Sequence, residues 1–225
     1  MAGHTDKTYE AELKALREKL LAMGGKVETA IASSVRSVIE RNSTLAETVK
    51  ASDREINRLE VEIDDACRRL LALRQPAASD LRFIATALKI VTDLERVGDL
   101  AVNVADRASD LNQVPPLRPF HDLAKLADLT QSQLKGALDA FVESDVAKAE
   151  AVLKGDDLID ALYLKLFNEL LALMMEDSKN IRRATSVMFV AKHLERAGDH
   201  VTNVAEMVIY MVRGTDIRHP RSRAV

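Results

Sequence analysis

The chain has 225 residues, of which 47% are hydrophobic, 30% are charged and 4% are aromatic, with a formal charge of −3. This composition favours long helices over sheets, and the slight negative charge without a basic stripe argues against nucleic-acid binding. The single cysteine, Cys67, has no partner for an internal disulfide, and we expect it to be a small buried apolar residue.

Nothing in the sequence indicates secretion or membrane insertion. Residues 1–19 are charged and contain no apolar signal core, and the longest apolar runs are far shorter than a membrane span. We therefore expect a soluble cytoplasmic protein with at most peripheral membrane association. The arginine-rich tail, Arg213 to Arg223, is expected to be a solvated end, with contact to an acidic partner or anionic lipids as the alternative.

Apolar residues recur every three or four positions from Leu13 to Val38, which predicts a first helix that ends near Arg41. One of residues 42–44 is expected to cap the second helix, and Thr44 with Glu47 fits a capping box. The first two helices are therefore joined by a short turn, which makes them antiparallel neighbours.

The second helix is predicted to run to about Gln75, where Pro76 stops it. Ser79 or Asp80 is expected to cap a third helix that continues to about Asp110. The second half restarts near Pro119, turns at residues 144–145 and near 178, and ends at Gly214. The linker between the halves is marked by Pro115, Pro116 and Pro119.

The two halves of the sequence repeat each other. Leu94–Asp99 and Leu194–Asp199 differ at one position, residues 45–59 align with 148–162, and residues 82–106 align with 182–206. The length difference between the copies falls in a turn, as expected for two copies of one helical unit. We therefore predict an all-α protein of two tandem, pseudo-symmetric three-helix bundles with six long helices, divided as residues 1–112 and 113–225.

Carboxylates form a stripe on the third helix and on its copy. At 100° per residue, four polar residues of the third helix lie within about 80° of one another, and four of the sixth helix repeat the pattern. The two stripes consist of Glu95, Asp99, Asn103 and Asp106, and of Glu195, Asp199, Asn203 and Glu206.

The helix before each stripe carries polar residues that can face it. On the second helix these are Asp53, Asn57, Glu60 and Asp64, whereas the fifth helix keeps Asp156 and Asp160 but has Tyr163 and Phe167 at the later positions. Residues at equal distances from the turn of an antiparallel hairpin lie level with each other, which predicts two groups of facing side chains. Glu60 and Asn57 approach Glu95 and Asp99, and Asp160 and Asp156 approach Glu195 and Asp199.

Facing carboxylates repel unless they are protonated, paired with arginine or bridged by a cation. Oxygen-rich sites suit iron, Mn, Mg or Ca better than Zn, so these ions are the expected cofactors. The alternative is a solvated acidic face neutralised by Arg58, Arg96 and Arg196. Gly98 and Gly198 favour a cation site over a solvated face. A mid-helix glycine is costly, so it indicates that two helices approach closely or that there is access beside the acids.

Several motifs resemble those of the PhoU family, the bacterial regulators of phosphate uptake. They are Ala72-Leu73-Arg74-Gln75-Pro76, Asp80-Leu81-Arg82, Asp93 to Asp99, Met175-Glu176-Asp177 and Leu194 to Asp199. The resemblance covers the chain from about Tyr9 to Arg218. It implies tandem three-helix bundles, in agreement with the independent interpretation above.

The resemblance also implies a function. Such proteins act in the cytoplasm between the ATPase subunit of a phosphate ABC transporter and a phosphate-sensing histidine kinase. They repress the starvation response and restrain uptake when phosphate is plentiful. Family members bind metal through paired Glu/Asp-x-x-x-Asp motifs. Here these map to Glu95/Asp99, Glu195/Asp199 and Asp156/Asp160, whereas the first half departs at Asp53-x-x-x-Asn57, with Glu60-x-x-x-Asp64 one turn further on.

Two other functions remain open at the level of sequence. One is a di-metal carboxylate enzyme, although the Glu-x-x-His ligand pattern of such bundles is missing and no other catalytic motif occurs. The other is a metal-free structural helical protein. His193 and His200 project away from Glu195 on their helix, so packing or solvent contact is expected for them rather than ligation. We expect no enzymatic activity, and a homodimer formed by the long amphipathic bundles.

Overall fold

The computed structural model describes residues 7–117 and 121–217, which contain six long α-helices, one short 3₁₀ turn and no β-strand. The 3₁₀ turn, Ser178–Asn180, comes directly before the last helix. The all-α prediction with six helices is confirmed, whereas Pro119 and most of the arginine-rich tail lie outside the described residues. The helices are α1 (Lys7–Ile39), α2 (Ser43–Leu73), α3 (Ala78–Asn112), α4 (His121–Glu143), α5 (Val146–Glu176) and α6 (Ile181–Arg213).

The helices form two three-helix bundles that lie side by side. Helices α1, α2 and α3 pack against one another, as do α4, α5 and α6. The bundles meet through α3 and α6, which make the most extensive contact of any helix pair, and through α1 and α4. The predicted tandem bundles are therefore correct, and the structure adds that the two repeated helices form the centre of the molecule.

Helix α2 shows why these segments pack as they do. Val49, Ile56, Ile63 and Leu70 are spaced seven residues apart and are all buried, so that one face of the helix is covered and the opposite face is solvated. Helix α3 is buried over a wider arc, because it contacts α1 and α2 on one side and α6 on the other.

The apolar core does not stop at the boundary between the bundles. The cluster that fills the first bundle continues into α4 through Leu134 and Phe141, and into α6 through Val204 and Val208. All four side chains are at most 1% exposed. The two halves therefore bury apolar surface jointly, which favours cooperative unfolding of the whole chain.

Helix ends follow the expected turn chemistry in three of the four places compared. The Asn42 side chain accepts a hydrogen bond from the Leu45 amide at 3.0 Å and caps α2, as predicted. Asp145 caps α5 by accepting from the amides of residues 147 and 148. Gly214 ends α6 with a φ of 69°, a left-handed conformation that glycine adopts without a Cβ clash.

Two predicted caps are wrong. Thr44 lies inside α2, so the capping box with Glu47 does not form, and Glu47 instead pairs with Lys50. Helix α3 starts two or three residues earlier than expected, with Ala77 at its N-cap and no side-chain hydrogen bond there. The predicted caps Ser79 and Asp80 therefore fall in its first turn.

Cys67 is fully buried, as expected. Burial, followed by the nearby charge of Asp64, raises the pKa of the Cys67 thiol to about 12. The thiolate, which is the reactive form, is therefore negligible at neutral pH. Within the described ranges, no helix has an apolar stretch long enough to span a lipid bilayer.

Candidate metal centres in the two helical hairpins

The first acidic cluster, which we define as Asp53, Asn57, Glu60, Glu95 and Asp99, lies in the hairpin of α2 and α3. The charges of Asp99, Glu60 and Asp53 all act on the carboxyl of Glu95, and the charge of Asp99 acts on Asp53. Asn57 donates a hydrogen bond to Asp53 Oδ2 at 2.8 Å on its own helix. The hairpin therefore brings together carboxylates that lie far apart in the sequence.

The second acidic cluster, defined as Asp156, Asp160, Glu195 and Asp199, lies in the hairpin of α5 and α6. The charges of Asp160, Asp199 and Glu195 all act on Asp156, and those of Glu195 and Asp160 act on Asp199. All four members are carboxylates, whereas the first cluster contains one amide. Each cluster therefore has four carboxylates, and at the position that corresponds to Asp160 the first cluster has the amide of Asn57.

Each cluster is built around a glycine that permits the two helices to come close. A Cβ added to Gly98 would lie 3.2 Å from Ile56 Cγ2 on α2, and one added to Gly198 would lie 3.2 Å from Ile159 Cδ1 on α5. The Cβ of residue 198 would also lie 3.5 Å from Asp156 Oδ1. Close approach, one of the two expectations for these glycines, is thus what the structure shows.

A cation from the same helix partly neutralises each cluster. Arg96 lies 3.5 Å from Glu95 Oε2 and 3.3 Å from Asp99 Oδ2. Lys192 lies 2.5 Å from Glu195 Oε2, a pairing that was not predicted although the three-residue spacing on one helix could have indicated it. These pairs are partly exposed, so each contributes at most about 1 kcal/mol.

The other predicted counter-ions lie elsewhere. Arg58 pairs with Glu55 at 3.6 Å and with Glu62, not with Glu60. Arg196 has no ion-pair partner within residues 7–117 and 121–217. Neutralisation by arginine therefore reaches the first cluster through Arg96 and does not reach the second cluster through Arg196.

Two acids of the predicted stripes are paired away from the clusters. Asp64 lies 2.5 Å from Arg68 on its own helix. Asp106 lies 3.0 Å from Lys50 across the hairpin. Asp64 and Asp106 are therefore paired with cations and not available to a bound ion. For this reason Asp64 is not counted in the first cluster.

Corresponding aspartates of the two halves each have an oxygen with no hydrogen bond. Asp53 Oδ1 and Asp156 Oδ1 are both buried and have no hydrogen-bond partner in the described residues. The sequence repeat aligns these two positions with each other. A buried carboxylate oxygen without a partner is costly, so each position favours either a proton or a cation.

The pKa values show the same electrostatic strain. Burial, followed by the charges of Asp160 and Asp199, raises the pKa of Asp156 to about 6. Burial and then the charge of Asp99 raise the pKa of Asp53 and of Glu95. Because desolvation and like charges disfavour the ionised form, these carboxyls are more basic than free ones.

We expect Asp156→Asn to stabilise the metal-free protein at high pH. The pKa of Asp156 lies above that of an unfolded aspartate, so the folded state binds this proton more tightly and loses that stability as pH rises through about 6. The free energy of unfolding should therefore rise by about 2 kcal/mol at pH 8 and change little at pH 4. Urea unfolding with a chelator present measures it.

The matched control for that experiment is Asp128→Asn, which changes an exposed aspartate on α4. Its effect should be within about 0.5 kcal/mol at both pH values. A gain from Asp156→Asn that is equal at pH 4 and pH 8 would contradict the assigned repulsion.

The donor chemistry of the clusters fits a hard cation. An oxygen-preferring ion would bind the oxygens that lack partners and would offset the repulsion between the carboxylates. It would also join the two helices that contribute each set of ligands. In the described ranges, however, no three carboxylate, histidine or cysteine side chains already converge around one point. Binding therefore requires side chains to move, and Glu195 in particular to exchange its contact with Lys192 for the ion.

The two histidines of α6 lie outside the clusters. His200 Nδ1 lies 2.9 Å from Asp93 Oδ1, and Asn203 donates to the same oxygen at 3.1 Å, so both join α6 to α3. His193 stacks on Phe189 with ring centroids 6.3 Å apart. Packing roles, as expected, account for both.

Comparison with known proteins identifies a family. The PhoU domain matches residues 20–108 and 123–208, which is most of each half. The chain is 44% identical over 220 residues to a protein from Pseudomonas putida named "Phosphate-specific transport system accessory protein PhoU homolog", covering 97% of this chain and 86% of that protein. A protein of the same name from Clostridium acetobutylicum is 39% identical over 218 residues, covering 95% of this chain and 98% of that protein.

Solved structures give the same result. The crystal structure of PhoU from Pseudomonas aeruginosa superposes with a TM-score of 0.89 at 43% identity, covering 92% of this chain and 100% of that one. The structure of the phosphate transport system regulatory protein PhoU from Streptococcus pneumoniae superposes with a TM-score of 0.86 at 28% identity, covering 93% and 99%.

Proposed function

The chain belongs to the PhoU family, and we propose that it is a cytoplasmic negative regulator of phosphate uptake and of the phosphate-starvation response. The observation that carries this proposal is the match of both halves, at 44% identity over 97% of the chain, to a phosphate-specific transport system accessory protein. Its relatives are named as accessory and regulatory proteins, and the role requires no catalytic step.

The proposed mechanism is that of an adaptor. Its partners are the ATPase subunit of a phosphate ABC transporter and a phosphate-sensing histidine kinase, which the bundle surfaces contact. Metal ions would be held by Asp53, Glu60, Glu95 and Asp99 in the first cluster, and by Asp156, Asp160, Glu195 and Asp199 in the second. An ion there supplies positive charge that offsets carboxylate repulsion and ties together the two helices of each hairpin.

A homodimer is part of the proposal. Leu164, Leu171 and Met175 follow one face of α5 and are 58%, 43% and 81% exposed. Large apolar side chains in one row support an interface, since monomers rarely expose such a surface. The mass of the protein in solution, measured by light scattering, decides between a monomer and a dimer.

Deleting this gene is expected to derepress alkaline phosphatase in phosphate-rich medium. A regulator that restrains the starvation response at high phosphate must, when absent, leave that response active. The measurement is phosphatase activity in the deletion strain, with a wild-type copy restored as the control. Activity that stays at the wild-type low level would contradict the regulatory role and reopen the enzymatic and structural alternatives.

The same strain tests whether the clusters matter for regulation. A restored copy carries four amide substitutions, which are Glu95→Gln, Asp99→Asn, Glu195→Gln and Asp199→Asn. Failure of this copy to restore repression, while the protein accumulates normally, supports a regulatory role for the bound ions. Full restoration keeps the regulator and leaves the ions as part of the scaffold.

A further inference from the structure

A recess lined by arginines lies at the end of the central helix pair, apart from both acidic clusters. It is formed by the last turns of α3 and the first turns of α6 and has a volume of about 350 Å³. Arg107, Arg182 and Arg183 line it, together with the hydroxyl-bearing Thr185. We name it the arginine recess.

The charges of the arginine recess do not balance. Among the described residues, Asp110 is the only acid that lines it, and its Oδ2 lies 3.5 Å from Arg107, a long contact between partly exposed groups. Such a pair contributes little. Three guanidinium groups facing one carboxylate leave two positive charges for an incoming anion.

Two of the arginines are held in place by other parts of the chain. Arg183 donates to the carbonyl of Pro115 at 3.1 Å and to Asn180 Oδ1 at 2.8 Å. The guanidinium of Arg107 lies over the ring of Phe189, 5.4 Å from its centroid. These contacts fix the cations before a ligand arrives, which lowers the entropy lost on binding.

The recess also has hydrogen-bond donors that the fold does not use. Arg182 lines the recess, is exposed, and has no ion pair or side-chain hydrogen bond in the described part of the chain. Guanidinium groups present forked N–H donors that match the oxygens of a tetrahedral oxyanion better than a point charge does.

The corresponding recess at the other end of the central pair differs. The sequence repeat places Arg82 where the second half has Arg182. Arg82 donates through Nε to the carbonyl of Met211 at 3.3 Å, and the neighbouring Arg17 donates to the carbonyl of Val142 at 3.2 Å. Arg82 and Arg17 thus bond carbonyls near the ends of α6 and α4. The second recess therefore serves as an internal comparison for the arginine recess.

We propose that the arginine recess binds a phosphoryl dianion, either free inorganic phosphate or the phosphate group of a small monoester. Its volume admits a phosphate group with a few further atoms, and its donors come from both central helices. Binding there would join the end of α3 to the start of α6. The proposal depends on these contacts alone and is independent of the regulatory role.

Calorimetric titration of the full-length protein with inorganic phosphate, at constant pH and ionic strength, tests the proposal. The wild type should bind one phosphate per chain, and Arg182→Gln should weaken binding at least tenfold. Arg182 is exposed, so this change should not affect folding, which circular dichroism verifies. The matched control is Arg69→Gln, an exposed arginine of α2 outside the recess, which should leave the affinity unchanged.

A parallel titration with phosphoserine separates the two sources of the phosphoryl group. Tighter binding of phosphoserine than of phosphate assigns a monoester, and the reverse order assigns the free ion. Three results overturn the proposal: no binding of either probe, equal binding by wild type and Arg182→Gln, or loss of binding in Arg82→Gln alone. Phosphate held by an ion in the acidic clusters would survive Arg182→Gln and would therefore count against the arginine recess.

Discussion

Protein purified without oxygen or chelators is expected to retain one to several hard cations per chain, and the variant with four amides is expected to retain none. That variant, with Glu95→Gln, Asp99→Asn, Glu195→Gln and Asp199→Asn, removes the charges that α3 and α6 contribute. Neutral amide oxygens bind such ions far more weakly than carboxylates do. Elemental analysis of matched samples measures the difference.

Two half-variants locate the ions. Changing Glu195 and Asp199 alone should remove the metal of the second cluster and leave that of the first, and changing Glu95 and Asp99 alone should do the reverse. Asp128→Asn is the control, since this exposed aspartate lies outside both clusters. Equal metal content in the wild type and the four-amide variant would exclude the metal proposal.

Thermal stability provides a second measurement of the same effect. An ion that binds only the folded state stabilises it by about 2.7 kcal/mol when its concentration is a hundred times its dissociation constant. The wild type should therefore melt at a higher temperature with Mn²⁺ or Fe²⁺ than with a chelator. The four-amide variant should be insensitive to the ion, and without metal it should be at least as stable as the wild type because the repulsion is gone.

Replacing Gly198 by leucine is expected to destabilise the protein by about 3 kcal/mol, whereas alanine should be nearly neutral. The alanine Cβ would lie 3.2 Å from Ile159 Cδ1, a slightly tight contact that the gain in helix propensity of about 1 kcal/mol offsets. A leucine adds three further carbons at the same place, which α5 can accommodate only by moving away from α6. Urea unfolding of the three proteins measures the series.

Gly25→Leu is the matched control for this series. Gly25 also lies inside a helix, but an added Cβ there has no atom within 4 Å. Leucine at this position should be neutral or stabilise by up to about 1 kcal/mol, because the helix gains propensity without a clash. A loss at Gly25 as large as at Gly198 would show that the glycine effect does not come from helix approach.

The glycine series also connects packing with the proposed site. Asp156 Oδ1 lies 3.5 Å from where the Cβ of residue 198 would be, so a displaced α5 carries this carboxylate away from Glu195. We therefore expect the leucine variant to lose metal from the second cluster while the first keeps its own. The protein's packing and its proposed ligand set depend on the same close contact.

The positions of the acids could be predicted from helix periodicity, but their pairing could not be predicted completely. Counting from the turn placed Asn57 near Asp99, whereas the charge of Asp99 acts on Asp53, which lies one turn before Asn57. The count depended on the centre of the turn. Helix α3 starts at Ala78, two or three residues earlier than a side-chain cap at Ser79 or Asp80 would give, and its N-cap has no side-chain hydrogen bond.

Counter-ions were predicted least well, because an arginine or lysine can reach several acids with nearly equal energy. Arg58 lies two residues from Glu60 in the sequence but pairs with Glu55 and Glu62, which lie one turn away on its own helix. Lys192 reaches Glu195 in the same way. Exposed pairs differ by only a few tenths of a kcal/mol, so sequence spacing does not choose among them.

Local periodicity and residues such as Pro76 and Gly214 were enough to predict the six helices, the repeat and the face on which each acid lies. The folded structure was needed to show that α3 packs on α6, that the two halves share one core, and that three arginines meet at the end of this pair. Periodicity shows which face of a helix is apolar, whereas the helix that covers this face depends on long-range packing of many side chains at once.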